Sequence, residues 1–240
     1  MPRTARASVG GICYHVINRG NGRDEVFHES DDYDAFVALI GEANERVAMR
    51  VLAYCLMPNH FHLVLWPRED GDLSRWMQWL MTSHVRRYHR HYGGSGHVWQ
   101  GRFKAFPIQQ DEHLLVAMRY VERNALRARL VRRAENWAWS SVRWHGGRQR
   151  LAWLHEGPVD RGRSWVADVN AAMTGDEEEA LRKSVNRGTP WGSPAWQKRI
   201  AGKLGIESSL RPRGRPRKER GRREKAAEKQ NVPFAFARGW

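Results

Sequence analysis

The stretch Met57-Pro58-Asn59-His60-Phe61-His62-Leu63-Val64-Leu65-Trp66 constrains the fold of this chain more than any other. Pro-Asn is a turn signal, and it leads directly into an apolar, β-favouring run, so residues 60–66 read as a buried strand. Arg50 to Leu56 is a second such run on the other side of the turn, which makes the pair a hairpin. Side chains alternate across a strand, so His60 and His62 share one face while Phe61, Leu63 and Leu65 share the other. Two imidazoles on one face of a buried strand are costly to leave unpaired. Their spacing suits a shared metal ion, but on this motif alone two histidines satisfied separately beside a core are the stronger reading.

The elements around the hairpin follow from spacing. Ile12 to Ile17 is a first strand, ended by Asn18-Arg19-Gly20-Asn21-Gly22-Arg23, which reads equally as a phosphate-binding loop or a plain turn. It lacks the Lys-Ser/Thr ending of a P-loop and gives no ground for nucleotide hydrolysis. Ser30 as cap and Asp31-Asp32 in the first turn open a helix to about Ala48, with Tyr33, Phe36, Val37, Leu39, Ile40 and Ala43 at helical spacing. A second helix runs from Leu73 to about His91, with Leu73, Trp76, Met77, Leu80, Met81 and Val85 facing the core. Its later half (His84, Arg86, Arg87, His89, Arg90 and His91 around Tyr88) is a basic face, either solvated or turned to DNA. A fourth strand occupies the later part of Val98 to Ile108, where Pro107 argues for an edge or a strand end. Asp111 caps a third helix reaching to about Arg127.

This order predicts an α+β, ferredoxin-like antiparallel sheet with helices on one face and a further helix after the last strand. Four regions are expected. Residues 1–11 form a flexible arm and 12–128 the main domain. Residues 129–205 form a Trp-rich, mostly helical extension, and 206–240 a basic tail read as disordered.

The formal charge of +15 points to a polyanion, most simply nucleic acid. Arg211 to Lys229 holds ten Lys or Arg against three Glu, a net +7, so the rest of the chain keeps +8. Cys13 and Cys55 lie in separate apolar runs and read as buried free thiols of a reducing compartment, hence the cytoplasm. No apolar run approaches the ~18 residues of a membrane span, and no apolar segment follows the basic N-terminus to make it a secretory signal.

On the third helix, Leu114, Met118, Val121 and Ala125 fall in one stripe at about 100° per residue. Tyr120 and Asn124 stand together beside that stripe, one turn apart. A half-exposed helix tyrosine fits this position, and so does a functional pair. Five blocks in order, spread over residues 10–145, decide the matter. They are Tyr14-His15-Val16 with Asn18-Arg19-Gly20-Asn21, Met57 to His62, Trp99-Gln100-Gly101-Arg102-Phe103, Tyr120-Val121-Glu122-Arg123-Asn124 and Trp137-Ala138-Trp139-Ser140-Ser141. Together they resemble the single-tyrosine transposases with a His-hydrophobic-His motif, specifically the REP-associated tyrosine transposase branch.

The resemblance implies a metal-dependent enzyme that cuts and transfers single-stranded DNA beside a hairpin through a 5′-phosphotyrosine. Tyr120 would be the nucleophile, and His60, His62 and Asn124 would hold Mg²⁺ or Mn²⁺; other branches carry Gln where this chain has Asn124. Relatives of this kind are monomers or homodimers. The alternative is a non-cleaving regulator that binds hairpin DNA on the same fold. Contacts to DNA are expected from Arg19 and Arg23, from Arg86, Arg87 and Arg90 on the second helix, and from Arg102 and Lys104 before the fourth strand. Arg213, Arg215 and Arg217 lie in Pro212-Arg213-Gly214-Arg215-Pro216-Arg217-Lys218, which resembles a minor-groove AT-hook and equally fits a generic phosphate-binding tail.

In the extension, Trp137, Trp139, Trp144, Trp153 and Trp165 read as packing residues rather than base-stacking platforms. Asp176 to about Asn186 and Ser193 to Leu204 predict two helices, the second with Pro194 at its first position. Their Gly188-Thr189-Pro190-Trp191-Gly192 linker leaves a helix-turn-helix open.

Overall fold

Apolar runs between residues 13 and 108 close into one four-stranded sheet in the computed structural model, which describes residues 8–145 and 151–211. The strands are β1 (Cys13–Arg19), β2 (Met49–Met57), β3 (His60–Pro67) and β4 (Lys104–Ile108), in the order β2-β3-β1-β4. Every pairing is antiparallel. Helix α1 (Ser30–Arg46) links β1 to β2, and α2 (Asp72–Tyr92) links β3 to β4. This is the ferredoxin-like arrangement that the order of elements predicts. Pro107 sits in β4, which pairs with β1 only, so its missing N–H costs no ladder bond to a further strand.

The strands are buried on both sides, and each face of the sheet has its own core. Phe61, Leu63 and Leu65 pack with Tyr54, Phe36, Ile40, Trp76, Met77 and Leu80, so α1 and α2 cover one face. Cys55, Val64, Phe106 and Ile108 pack with Leu114, Met118 and Val121 of α3 (Glu112–Glu122) on the other. Burying each of these larger side chains is worth about 1.5–3 kcal/mol, so the two layers are the main source of stability. Cys13 and Cys55 are free and buried in the α3-side core, where burial pushes both thiols up to about 12.

The Pro58-Asn59 turn is an anchor as well as a reversal. The Pro58 carbonyl accepts from the N–H groups of Val26 and Phe27, and the Asn59 carbonyl accepts from that of Gly20. The Asn18 to Arg23 loop is therefore strapped to the end of the histidine strand. Gly20 is required there, because a Cβ would fall 2.2 Å from the Asp24 carbonyl oxygen.

Several expectations shift at this level. The cap of α1 is Glu29 rather than Ser30, because the Asp32 carboxylate turns back to accept from the N–H groups of His28 and Glu29. The third helix is divided at Arg123 (φ −80°, ψ −5°) into α3 and a short α4 (Asn124–Arg127). Of the residues expected as a flexible arm, 8–11 are docked: Ser8 is buried, its carbonyl accepts from Gly71, and Gly11 donates to Pro67. His84, placed on the basic face of α2, is instead buried at 4% exposure among Phe27, Phe36 and Trp99.

The tryptophans of the extension pack on the sheet domain. Trp137 donates to the Leu56 carbonyl, Trp139 stacks on Tyr33 at 4.0 Å, and Trp144 donates to the Tyr54 hydroxyl. A short helix without a sequence signal, α5 (Trp165–Asn170), follows, then α6 (Gly175–Arg187) and α7 (Pro194–Leu204). The linker between α6 and α7 runs along β4, with Trp191 bonded to Pro107 and Gln109, so it does not close a tight helix-turn-helix. Among the described residues, no helix is long and apolar enough to cross a membrane.

Candidate active site

Strand register decides which side chains meet. His60 pairs with Arg19 of β1 and Met57 of β2, and His62 pairs with Ile17 and Cys55. Directly paired residues share a face, and this face is the one that α3 covers. His62 is 2% exposed and His60 is partly open at the sheet's end. The two rings are 5.1 Å apart between centroids.

Each ring has one nitrogen engaged by the protein. His60 Nδ1 lies 2.7 Å from Asn59 Oδ1, while Asn59 Nδ2 donates to the Arg23 carbonyl and so fixes which way the amide faces. His62 Nδ1 lies 2.8 Å from Nε2 of a third histidine, His15. In both rings Nε2 is the nitrogen left for a ligand. Burial lowers His60 to about 4, with the charges of Arg19 and Arg127 adding to it. Burial also holds His62 well below its ordinary value, helped by His15, His60 and the same arginines. At neutral pH both are uncharged, the form of imidazole that binds metals.

Tyr120 stands on the last turn of α3 at 4% exposure, with its ring 5.9 Å from that of His62 and 6.2 Å from that of His15. A tyrosine beside the apolar stripe is thus covered after all, because the sheet's histidines supply a polar lining where the stripe ends. Asn124, one turn on, is fully buried. Its Oδ1 accepts from Arg127 Nη2 at 2.9 Å, and its Nδ2 is buried without a partner. Arg127 also lies over the Tyr120 ring, 5.3 Å from its centroid, and pairs with Glu178 of α6 at 3.6 Å. Two imidazole nitrogens and an amide oxygen that keeps a second lone pair beside the one Arg127 uses are a donor set that fits a divalent cation.

The basic residues divide. Arg19 and Lys104 share the histidine face, since Arg19 pairs with His60 and Lys104 with Ile17. Arg19 Nε is buried without a partner. Arg23 is exposed with φ 73° in the loop strapped to the hairpin, and Arg102 is exposed just before β4. Arg86, Arg87 and Arg90 are on α2, which covers the opposite face of the sheet, and Arg87 donates to the Asp31 carbonyl. Arg213, Arg215 and Arg217 lie outside the described residues.

His15, Asn59 and Arg127 escape a reading of the sequence as site residues. Alternation puts residues 13, 15 and 17 on one face, but only the pairing of β1 with β3 brings that face against His62. Among the described residues, Asp111, Glu112 and His113 also bring three ligand atoms close together. That cluster is occupied in capping α3, where Asp111 Oδ1 accepts from the His113 N–H and lies 2.8 Å from its Nδ1.

Residues 8–124 match the family described as "Transposase IS200 like". A Haemophilus influenzae protein named for the REP-associated tyrosine transposases is 24% identical over 123 residues, spanning 47% of this chain and 69% of that one. A solved structure of a REP-associated tyrosine transposase bound to a REP hairpin aligns at 19% identity with a TM-score of 0.47, covering 65% of this chain and 98% of the other. A crystal structure from Deinococcus radiodurans R1, described as a transposase, aligns at 17% identity with a TM-score of 0.37, covering 53% and 95%. The matched stretch, residues 8–124, folds the sheet and carries His60, His62, Tyr120 and Asn124, so this part of the chain is similar to the IS200-like transposases and, among them, to a REP-associated tyrosine transposase.

Proposed function

We propose that this protein cuts and rejoins single-stranded DNA beside hairpins, with Tyr120 as nucleophile and Mg²⁺ or Mn²⁺ held by His60, His62 and Asn124. One observation carries the proposal: a buried tyrosine at the end of α3 stands beside His62, and His62 and its neighbour His60 each keep Nε2 for a ligand. The hairpin part of the reading draws on the resemblance of the five sequence blocks to the REP-associated tyrosine transposases.

The Tyr120 oxygen attacks the scissile phosphorus in line. The Tyr120 hydroxyl gives up its proton as its P–O bond forms and the bond to O3′ breaks, and the leaving oxygen takes up a proton to become a free 3′-hydroxyl. The chain stays on the 5′-phosphate, so another 3′-hydroxyl reverses the step and joins a new strand without ATP. A cation at this site supplies neutralisation of a non-bridging phosphate oxygen and of the charge that develops as bonds exchange. Arg127, placed over the Tyr120 ring, gives the phenolate and the incoming phosphate a fixed positive neighbour. Arg19 and Lys104 on the same face draw the phosphate backbone across the site. The Asn124 carbonyl oxygen keeps a second lone pair beside the one that Arg127 uses.

Incubation with hairpin-flanked single-stranded oligonucleotides and Mg²⁺ or Mn²⁺ should give a covalent protein–DNA band on a denaturing gel. Tyr120→Phe should lose the band while still binding the oligonucleotide. A Tyr120→Phe protein that forms the adduct at the wild-type level overturns the assignment.

A further inference from the structure

His60 and His62 are held by partners of different kinds. Asn59 Oδ1 can only accept, so His60 must carry its proton on Nδ1 and present a bare Nε2. The partner of His62 is another neutral imidazole, and the 2.8 Å contact between His15 Nε2 and His62 Nδ1 has two solutions. If His15 donates, His62 carries its proton on Nε2 and cannot ligate through it. If His62 donates, its Nε2 is bare, and His15 must carry its own proton on Nδ1. That nitrogen is buried and has no hydrogen-bond partner.

His15 is fixed in place for this role. It lies opposite Val64 and diagonal to His62, is fully buried, and its ring meets Phe106 edge-on at 4.9 Å. What separates His15 from a histidine that only fills a core is its other nitrogen, Nε2, which meets His62 Nδ1 at 2.8 Å.

We infer that His15 is the positioning residue of the site: it accepts from His62 Nδ1–H and thereby turns the His62 Nε2 lone pair toward the cation. Loading the site selects one of the two proton arrangements of the His15–His62 pair, and His15 holds its proton on Nδ1 in the loaded protein. This rests on the cation reading of His60 and His62 and adds a residue that does not touch the cation.

The test is Mn²⁺ titration of the full chain followed by electron paramagnetic resonance, with wild type, His62→Ala, His15→Phe and His15→Gln run together. His15→Phe should bind Mn²⁺ about 10–100-fold more weakly, the usual cost of losing a partner behind a metal ligand. Its thermal stability should change little, because the phenyl ring removes one unpartnered nitrogen, His15 Nδ1, and leaves another, His62 Nδ1. His15→Gln, whose Oε1 can accept from His62, should recover part of the affinity. Wild-type affinity in a folded His15→Phe protein, alongside weak binding by His62→Ala, would overturn the role of His15 alone. No Mn²⁺ binding by wild type, or binding that survives His62→Ala, would overturn the cation site itself. Should His15→Phe not fold, ¹⁵N spectra of the Mg²⁺-loaded wild type decide: His15 protonated on Nδ1 supports the inference, and His15 protonated on Nε2 sinks it.

Discussion

His62 and His84 are both buried imidazoles, yet one lines a site and the other fills a core. The ring of His84 is surrounded by Phe27, Phe36 and Trp99, and its Nδ1 is buried without a partner. Burial lowers it to about 3, with the nearby Asp32 charge opposing and Arg87 adding to the shift. Above pH 6.5, the ordinary value, folded and unfolded chains both hold it neutral, and it adds no pH dependence. As pH falls below that, the unfolded chain takes up a proton that the folded chain refuses, so stability declines by about 1.4 kcal/mol per pH unit down to about pH 3. His84→Leu should flatten this part of the acid limb in denaturant melts at pH 6.5 and 4.5; an unchanged pH slope would refute it. Strand alternation alone puts His60 and His62 on one face. It could not tell that His84 points inward, because the same stretch of α2 carries Arg86, Arg87 and Arg90, and a basic local composition hides a single inward residue. Nor could it join His15 to His62, since a pairing between strands 47 positions apart is set by the sheet and not by local spacing.

Helix α3 carries Tyr120, the proposed nucleophile, on one side and the fastening of the extension on the other. Glu122, two residues after Tyr120, is fully buried, and its carboxylate accepts from Ser141 Oγ, His145 Nε2 and Trp165 Nε1. Burial alone would raise this carboxyl, but the His145 hydrogen bond, the His145 and Arg161 charges and Ser141 bring it below its ordinary value. Arg119 and Arg123 of the same stretch donate to the carbonyls of Ala171, Ala172, Val169 and Asn170, the C-terminal end of α5, which would otherwise lack partners. Glu122→Ala leaves buried donors and charge uncompensated, so it should cost about 3–5 kcal/mol in chemical denaturation. Hydrogen exchange should place the loss in residues 151–170 before the sheet; uniform protection would refute the anchoring role. The longer helices were legible from caps and spacing, including Ser193 with Pro194 at the start of α7. Helix α5 was not, because six residues with no side-chain cap give too short a pattern, and the groups that hold its C-terminal carbonyls, Arg119 and Arg123, are distant in sequence.

At the scale of the molecule, the site exists because both faces of the sheet are covered by different parts of the chain. α1 and α2, which the ferredoxin-like order predicts, build one core. α3 and the extension build the other and bury the histidine face. The sequence order was enough for the first layer. The second depended on long-range partners such as Trp137 on Leu56 and Trp165 on Glu122, which carry no periodic signal. The positive charge is shared in the same uneven way. Residues 211–229 hold a net +7 and Arg238 adds one more, so a chain ending at Leu210, where the first compact unit ends, keeps +7 of the +15. If the body presents Arg19, Lys104 and Arg127 to DNA while the basic stretch adds phosphate contacts of its own, both parts release counterions on binding. Each phosphate neutralised contributes about −0.7 to the slope of log affinity against log salt for a single strand. The 1–210 chain should therefore bind single-stranded DNA with a shallower slope that is still clearly negative, and it should still form the Tyr120 adduct. Fluorescence anisotropy between low and moderate salt measures both slopes. Equal slopes would show that residues beyond 210 make no phosphate contacts, and a flat line for 1–210 would show that the histidine face does not draw DNA by charge.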